Sequence, residues 1–536
     1  MDSACAEFML IFKLFVSECV PSRVVLIRPK DKPWFDSELR KEMRLRDRLR
    51  NKAKVLNTFD SIDKYKKQRN RFNNLKNSAK ENFYLNLDGR LSTCAKRNNT
   101  SYWKLLKYII KDSGSSSLIP PLITNDNIGP TAFSDYEKAE ALNNYFVSVS
   151  QSDEEDAILP FFKIRCNQEI DIIFIEKQEI SDLIKSLPAN KASSPDDVNH
   201  RLLKHVSETI AEPLQILFNM SLEKCIFPSQ WKMARVLPLF KKGDKSVPSN
   251  YRPISLLSCL GKLFERLAFK HLHNHFNKHK LLCKYQSGFL PGHSTVHQLI
   301  EIYHQICRSL DQHDFFRMDF CDVSKAVDRV WHSGLIYKLN QYGIKGNLLR
   351  WINDYLSDRS QQVFVNGSLS SPQKITAGVP QGSVLGPFLF LVYINDISES
   401  LLNITRLFAY DTNIGISSAN IKEIENKLNS DLLSLNVWAE SWLVKFNPSK
   451  TKYMFFSHKN VDLLPHLVFN GSDLEHVKQH KHLGVTFSSD TKWSWHINNI
   501  ISSASKMVAS MRKLKYILNR KNLTRIYSTY IRPILE

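Results

Sequence analysis

The chain has 536 residues, 43% of them hydrophobic, which is enough for several domains with real cores and too much for a globally disordered chain. Lys and Arg number 74 against 53 Asp and Glu, a formal charge of +21, so a polyanionic partner is expected, nucleic acid before an acidic membrane surface. The 9 cysteines show no C-x-x-C spacing, which argues against a disulfide framework and a cysteine-rich zinc site and fits a reducing compartment.

In chain order, FMLIFKLFV (8–16) is too short to span a bilayer, is interrupted by Lys13 and follows an acidic start. Neither a membrane segment nor a secretory signal is expected. Residues 33–110 read as helix, opened by Pro33-Trp34. Within ELRKEMRLRDRLRNKAK (38–54), Leu39, Met43 and Leu49 lie near helical spacing and give one packing face. The remaining faces are basic, and Arg40, Lys41, Arg44 and Arg48 are the candidate nucleic-acid contacts; a solvated helical face is the plainer alternative. KYKKQRNRFNNLK (64–76) continues the theme with interleaved aromatics. KDSGSSSLIPP (111–121) and SQSDEEDA (150–157) read as linkers. Beyond them short β-like runs alternate with longer helical ones, an α+β pattern without internal repeats.

VLPLFKKGDKSVPSNYRPISLL (236–257) reads as a strand followed by a basic loop, whose Lys241, Lys242, Lys245 and Arg252 suit a triphosphate. His271, His273, His275 and His279, and later His476, His480 and His482, lack Cys or acidic partners at ligand spacing and read as polar surface. In FFRMDFCDVSKAVDRVWH (315–332), Phe316, Met318, Phe320 and Asp322 alternate onto one strand face, with Asp322 at the strand end. Arg317 and Asp319 share the opposite face, where burial is costly unless they pair with each other. Asp328 falls on the following helix, at a position compatible with an ordinary surface acid. ITAGVPQGSVLGPFLFLVYINDI (375–397) places Gly378, Gly382 and Gly386 where backbone can approach a ligand, then enters a buried helix. LFAYDTNIGI (407–416) reads as a β-hairpin with Asp411 at its tip. Asp322 and Asp411 on neighbouring strands would make a hard-oxygen site suited to Mg²⁺ and to phosphoryl displacement.

NYRPISLL, YQSGFLPGHST, DVSKAVDRVWH, GVPQGSVLGPFLFLVYINDI, LFAYDTN, FNPSKTKYM and HKHLGVTF occur in this order, with KPWFDSELR and SLPANKASSPDD upstream. The set resembles reverse transcriptases of jockey/CR1-like non-LTR retrotransposons. That resemblance implies a right-hand polymerase: a connector and basic helical extension over 1–110, a linker and the start of a fingers-side extension over 111–165, fingers and palm over 166–487, and the start of a helical thumb over 488–536. The palm would be an antiparallel sheet backed by helices. The family's endonuclease and most of its thumb are expected to be absent.

The resemblance also implies an RNA-directed DNA polymerase that uses two Mg²⁺ ions, an RNA template, a DNA primer or target, and dNTPs. Asp322 and Asp411 would be catalytic metal ligands and Lys450 the acid for the leaving pyrophosphate. Arg252, Val327, Gln381 and Gly382 would bind substrate, and Lys481, Leu483 and Gly484, around His482, the primer. Tyr410 stands where the family has a catalytic aspartate; a phenol is neutral near pH 7 and a poor ligand for a hard cation, so the metal site is expected to be weakened. Val327 replaces an aromatic, and Ser194 and Asp197 replace glycines. The alternative is a non-catalytic nucleic-acid-binding remnant of a decayed element. The expected location is intracellular, in nucleus and cytoplasm, as an RNA–protein particle, with the 38–54 run a candidate import signal.

Overall fold

The computed structural model describes every residue except 22–31, 33, 98, 111–118, 125–130, 152–156, 190–194, 197, 459–463 and 513, and except the side chains of 97 and 107–110. Pro33, most of the two linker stretches, and Ser194 and Asp197 therefore lie outside the described residues. The chain divides into two compact units, residues 1–20 with 119–492, and residues 21–118 with 493–536.

The first unit is built on a five-stranded sheet of β1 (Phe315–Asp322), β2 (Ile404–Phe408), β3 (Asp411–Ser418), β4 (Lys452–Phe456) and β5 (Glu475–His476). The order is β5-β4-β1-β3-β2, antiparallel throughout except where β5 runs parallel to β4. β1 is central and covered on both sides. Phe316, Met318 and Phe320 are buried on one face, and Arg317, Asp319 and Cys321 on the other. The expected pairing of the two charges is present: Arg317 Nε donates to Asp319 Oδ1 at 3.3 Å, and the guanidinium lies 3.5 Å from the centre of the Tyr453 ring. Burial pushes the Asp319 carboxyl up to about 6, against the pull of Arg317.

Helices Thr295–Asp311 and Ile421–Ser441 pack on the strands. The apolar run after the glycines is the buried helix Leu385–Tyr393. Its start is held by the buried Glu265 carboxylate, which accepts from the Val384 and Leu385 N–H groups at 2.5 and 3.2 Å. The Glu265 carboxyl oxygen meets the free N–H groups at the helix start, while burial holds the group above the usual carboxyl range.

A second sheet in the same unit joins Met233–Phe240, Tyr251–Leu256, Arg359–Val365, Ser368–Leu369 and Gln373–Ile375. Its first two strands form an antiparallel hairpin around the basic 241–250 loop. Helix Asp135–Val149, started by a capping box of Ser134 and Glu137, covers this sheet.

The second unit is helical. Among its described residues, Ser37–Leu56, Phe59–Leu85, Leu87–Arg97 and Asn99–Ile110 follow one another, and Ser494–Arg512 and Arg520–Ile526 return to it from the other end of the chain. Asp36 caps the first helix by accepting from Leu39 N–H at 2.9 Å, and Asn57 ends it with a left-handed φ of 48°. Phe83, Leu87, Leu91, Tyr102 and Leu106 share a core with Leu514, Leu518 and Ile526. The Asp88 carboxylate accepts from Asn519 N–H at 2.9 Å and from the Asn522 amide at 2.8 Å. Local periodicity predicts these helices but carries no sign that the two chain ends share a core.

Candidate active site

Asp322 ends β1 and Asp411 begins β3, and the antiparallel register sets them directly opposite each other. Two residues from distant parts of the chain thus place carboxylates side by side at one edge of the sheet. Asp411 is pushed up to about 6, by burial first and by the Asp322 charge second, while Lys241 pulls it down. The donor set fits a hard divalent cation, since two opposed carboxylates that repel one another are relieved by positive charge between them. Among the described residues no third His, Cys, Asp or Glu joins them.

Cations surround the pair. Lys450 Nζ lies 3.3 Å from Asp322 Oδ2. The FNPSK turn that presents it is tied to β1, because Asn447 N–H donates to the Asp322 carbonyl at 2.9 Å. Lys241, in the basic loop, is held below the usual lysine range by burial and then by Arg252 and Lys450, while Asp322 favours its charge. Arg252 itself is exposed. Lys241 is therefore the loop cation coupled to both carboxylates, and Arg252 acts on it as a neighbouring like charge.

The turn between β2 and β3 consists of Ala409 and Tyr410, with Ala409 left-handed at φ 53°. The Tyr410 ring is half-buried against the main core. The 285–288 segment clamps this turn. Leu407 N–H donates to the Tyr285 carbonyl at 3.0 Å, and Ser287 N–H to the Leu407 carbonyl at 2.9 Å. The buried Gln286 Oε1 accepts from both Gly288 N–H (2.7 Å) and Ala409 N–H (2.8 Å). A Cβ on Gly288 would stand 2.2 Å from Ala409 N, so this close approach requires glycine. Gln286 and Gly288 were not singled out in the sequence; their only signal is their place in YQSGF.

The GVPQG loop is stapled between the Arg252 strand and the turn that follows Asp322. Ser255 N–H donates to the Gln381 carbonyl at 2.8 Å, and Val379 N–H to the Val327 carbonyl at 2.9 Å. Gly382, at φ 130°, lies so close to Ser255 that a Cβ would sit 2.5 Å from its carbonyl oxygen. Gln381 Nε2 donates to both Asp328 carboxylate oxygens at 2.7 and 2.9 Å. Asp328 therefore departs from the sequence reading. It sits in the short 3₁₀ turn Ala326–Arg329 instead of a helix, and its carboxyl, raised by burial, orients Gln381 rather than facing solvent freely.

Lys481, Leu483 and Gly484 belong to the hairpin of β6 (Gln479–His482) and β7 (Val485–Ser488). Its turn is Leu483-Gly484, left-handed at φ 47° and 95°, and Lys481 is exposed. The polar-surface reading of the histidines fails here. The His480 ring stacks on Phe320 at 4.1 Å, and the buried His482 lies 5.3 Å from the same ring. The Asn413 amide donates to His482 Nε2 at 3.2 Å. Burial lowers His480 to about 4 and His482 to about 3, keeping both neutral. His275 is also buried, its Nε2 2.9 Å from the Tyr342 carbonyl oxygen. Phe320 and Asn413 each lie two residues from a site aspartate, on β1 and β3, so this hairpin is docked on the same two strands.

Arg40, Lys41, Arg44 and Arg48 lie on the first helix of the second unit, with Lys41, Arg44 and Arg48 exposed and Leu39 buried beneath.

Residues 240–487 match the family described as "Reverse transcriptase (RNA-dependent DNA polymerase)". The chain is 34% identical over 364 residues to the Drosophila melanogaster "Probable RNA-directed DNA polymerase from transposon BS", covering 65% of this chain and 39% of that protein. It is 32% identical over 372 residues to the "RNA-directed DNA polymerase from mobile element jockey" of the same species, covering 67% of this chain and 40% of the relative. The Drosophila funebris protein of that name is 25% identical over 553 residues, covering 99% of this chain and 59% of its own length. The chain thus spans roughly two fifths to three fifths of these relatives.

Proposed function

We propose, from the match of residues 240–487 to the reverse transcriptase family, that this chain is the RNA-directed DNA polymerase of a non-LTR retrotransposon, extending a primer 3′-hydroxyl with dNTPs on an RNA template. The observation that carries the reading is the register pairing of Asp322 with Asp411. In this reading the five-stranded sheet is the palm, the 233–256 hairpin with its basic loop belongs to the fingers, and the helices after residue 493 begin a thumb.

Asp322 and Asp411 hold Mg²⁺, the family's cofactor, which when bound supplies positive charge to the reacting phosphate. Lys241 and Arg252 bind the triphosphate, and Lys450 holds a proton at Nζ for the leaving pyrophosphate. Val327, Gln381 and Gly382 border the sugar and template base. Val327 leaves more room than an aromatic ring, which favours tolerance of a 2′-hydroxyl. Lys481, Leu483 and Gly484 bind the primer end, and the basic face of Arg40, Lys41, Arg44 and Arg48 binds nucleic-acid backbone. In this reading the protein works within an RNA–protein particle that reaches the nucleus.

Tyr410 removes one negative charge and one hard ligand from this arrangement. The deciding experiment is primer extension on an RNA template with Mg²⁺, using the Tyr410→Asp protein with and without Asp322→Ala. Extension that requires Asp322 supports the reading; extension indifferent to Asp322 refutes it.

A second reading is favoured by Tyr410 itself: a nucleic-acid-binding remnant without chemistry. It predicts salt-sensitive RNA binding unchanged by Asp322→Ala, and no extension from the Tyr410→Asp protein.

A further inference from the structure

The segment that clamps the Ala409-Tyr410 turn also lines a cavity of about 370 Å³. His273, Lys280, Lys284 and His293 contribute its polar wall, Phe276 and Pro291 its apolar one, and among the described residues none that is acidic lines it. Gln286, whose Oε1 holds Ala409 N–H, is shared with the turn; neither site aspartate borders the cavity. The side chains are presented by constrained backbone. Lys280 lies just past the end of helix Cys259–Lys278 in a left-handed conformation, φ 52°, with its N–H bonded to the Asn277 carbonyl at 3.2 Å. The Asn277 amide contacts a ring nitrogen of His273 at 3.1 Å, and Lys284 Nζ lies 4.9 Å from the centre of the Tyr285 ring.

Lys280 and Lys284 line one concavity without a carboxylate, so an anion seated there meets cations and no opposing negative charge. Imidazole and apolar walls beside them suit a planar base, since unstacked RNA bases are captured by stacking while their phosphates meet cations. The volume falls within the roughly 300–1,000 Å³ of small-ligand sites, room for a nucleotide but not for a duplex.

We propose that this cavity holds one nucleotide of single-stranded RNA, with its phosphate between Lys280 and Lys284 and its base against His273 and His293, as an RNA anchor outside the carboxylate site. The choice of RNA among polyanions rests on the functional reading above. Such an anchor lies against the residue that positions the Asp411 hairpin, so the strand would be gripped by the element that sets the site geometry.

The test is the salt dependence of binding of a short unstructured RNA oligonucleotide to the full chain, without dNTPs and with EDTA. The comparison is with the Lys280→Gln/Lys284→Gln protein, and with the Lys280→Arg/Lys284→Arg protein, which keeps both charges. Each lost phosphate contact on a single strand lowers the log–log salt slope by about 0.7, and the two lysines share one phosphate, so the Gln protein should show a slope shallower by about 0.7. The Arg protein should keep the parental slope. An unchanged slope in the Gln protein overturns the anchor and leaves the polymerase reading standing. Displacement of the RNA by inorganic phosphate at equal phosphate concentration reassigns the cavity to a free anion and overturns it too. A chain that binds no RNA at all overturns both.

Discussion

The turn at Ala409-Tyr410 and the turn at Leu483-Gly484 are both two-residue hairpin connections with left-handed residues, and both rest on the strands that carry Asp322 and Asp411. They are held differently. Backbone groups and one glutamine fix the first: Tyr285, Gln286 and Ser287 meet Leu407 and Ala409 without using the side chain at 410. Side chains fix the second, through the stack of His480 on Phe320 and the Asn413–His482 contact. The difference explains how Tyr410 is accommodated. A turn defined by its backbone keeps its shape whatever side chain stands at 410, so Tyr410 leaves Asp411 opposite Asp322, and in the proposed reading it changes only the charge offered to a metal.

Both turns depend on β1, and removing one member of its buried ion pair should break the comparison altogether. Asp319→Ala strands the Arg317 guanidinium and should cost about 3–5 kcal/mol, read by denaturant unfolding. Gly288→Ala attacks only the first turn. Its Cβ meets Ala409 N, and overpacking of that kind costs ~1–3 kcal/mol; in a Tyr410→Asp background it should also suppress extension, whereas the second turn should keep its primer affinity. Asn413→Ala attacks only the second turn and should cost about 1 kcal/mol, the net worth of one hydrogen bond, with primer KM rising more than kcat falls.

The pH dependence tests the second turn alone. His480 and His482 are lowered from 6.5 to about 4 and about 3, so the unfolded chain binds more protons than the folded one below pH 6.5. Stability should therefore rise with pH between about 3 and 6.5 and be lost on acidification. His480→Phe keeps the stack on Phe320 and should flatten part of that slope in thermal unfolding at a series of pH values. An unchanged slope would contradict neutral docking of this hairpin.

The carboxylate strands were legible because alternation in FFRMDFCD and the two apolar runs of LFAYDTNIGI are local signals, and the Arg317–Asp319 pairing follows from two charges on one buried face; the turn-like residues Thr412-Asn413 instead lie buried within the strand, and the turn falls at Ala409-Tyr410. The buried helix at 385–393 and the strand leading into the basic loop were legible for the same reason, but not the strand Tyr251–Leu256 that closes the loop into a hairpin. What could not be read depends on contacts distant in the chain. Gln286 reaches across 123 residues to Ala409, and Gln381 across 53 to Asp328. The histidines of 480–482 read as polar until Phe320 and Asn413 are brought beneath them, because imidazole spacing alone does not distinguish a solvated strand from a docked one. The sharing of one core by Leu87 and Leu518 likewise leaves no trace in helical periodicity.

The most direct measurement is the single-turnover rate of nucleotide addition on an RNA template by the present chain and by its Tyr410→Asp variant at equal Mg²⁺. Restoring one charge-stabilising ligand should raise the rate on the order of 10²–10³-fold. Equal, robust rates in the two proteins would contradict the claim that the Asp322–Asp411 pair is a metal site weakened at its neighbouring turn.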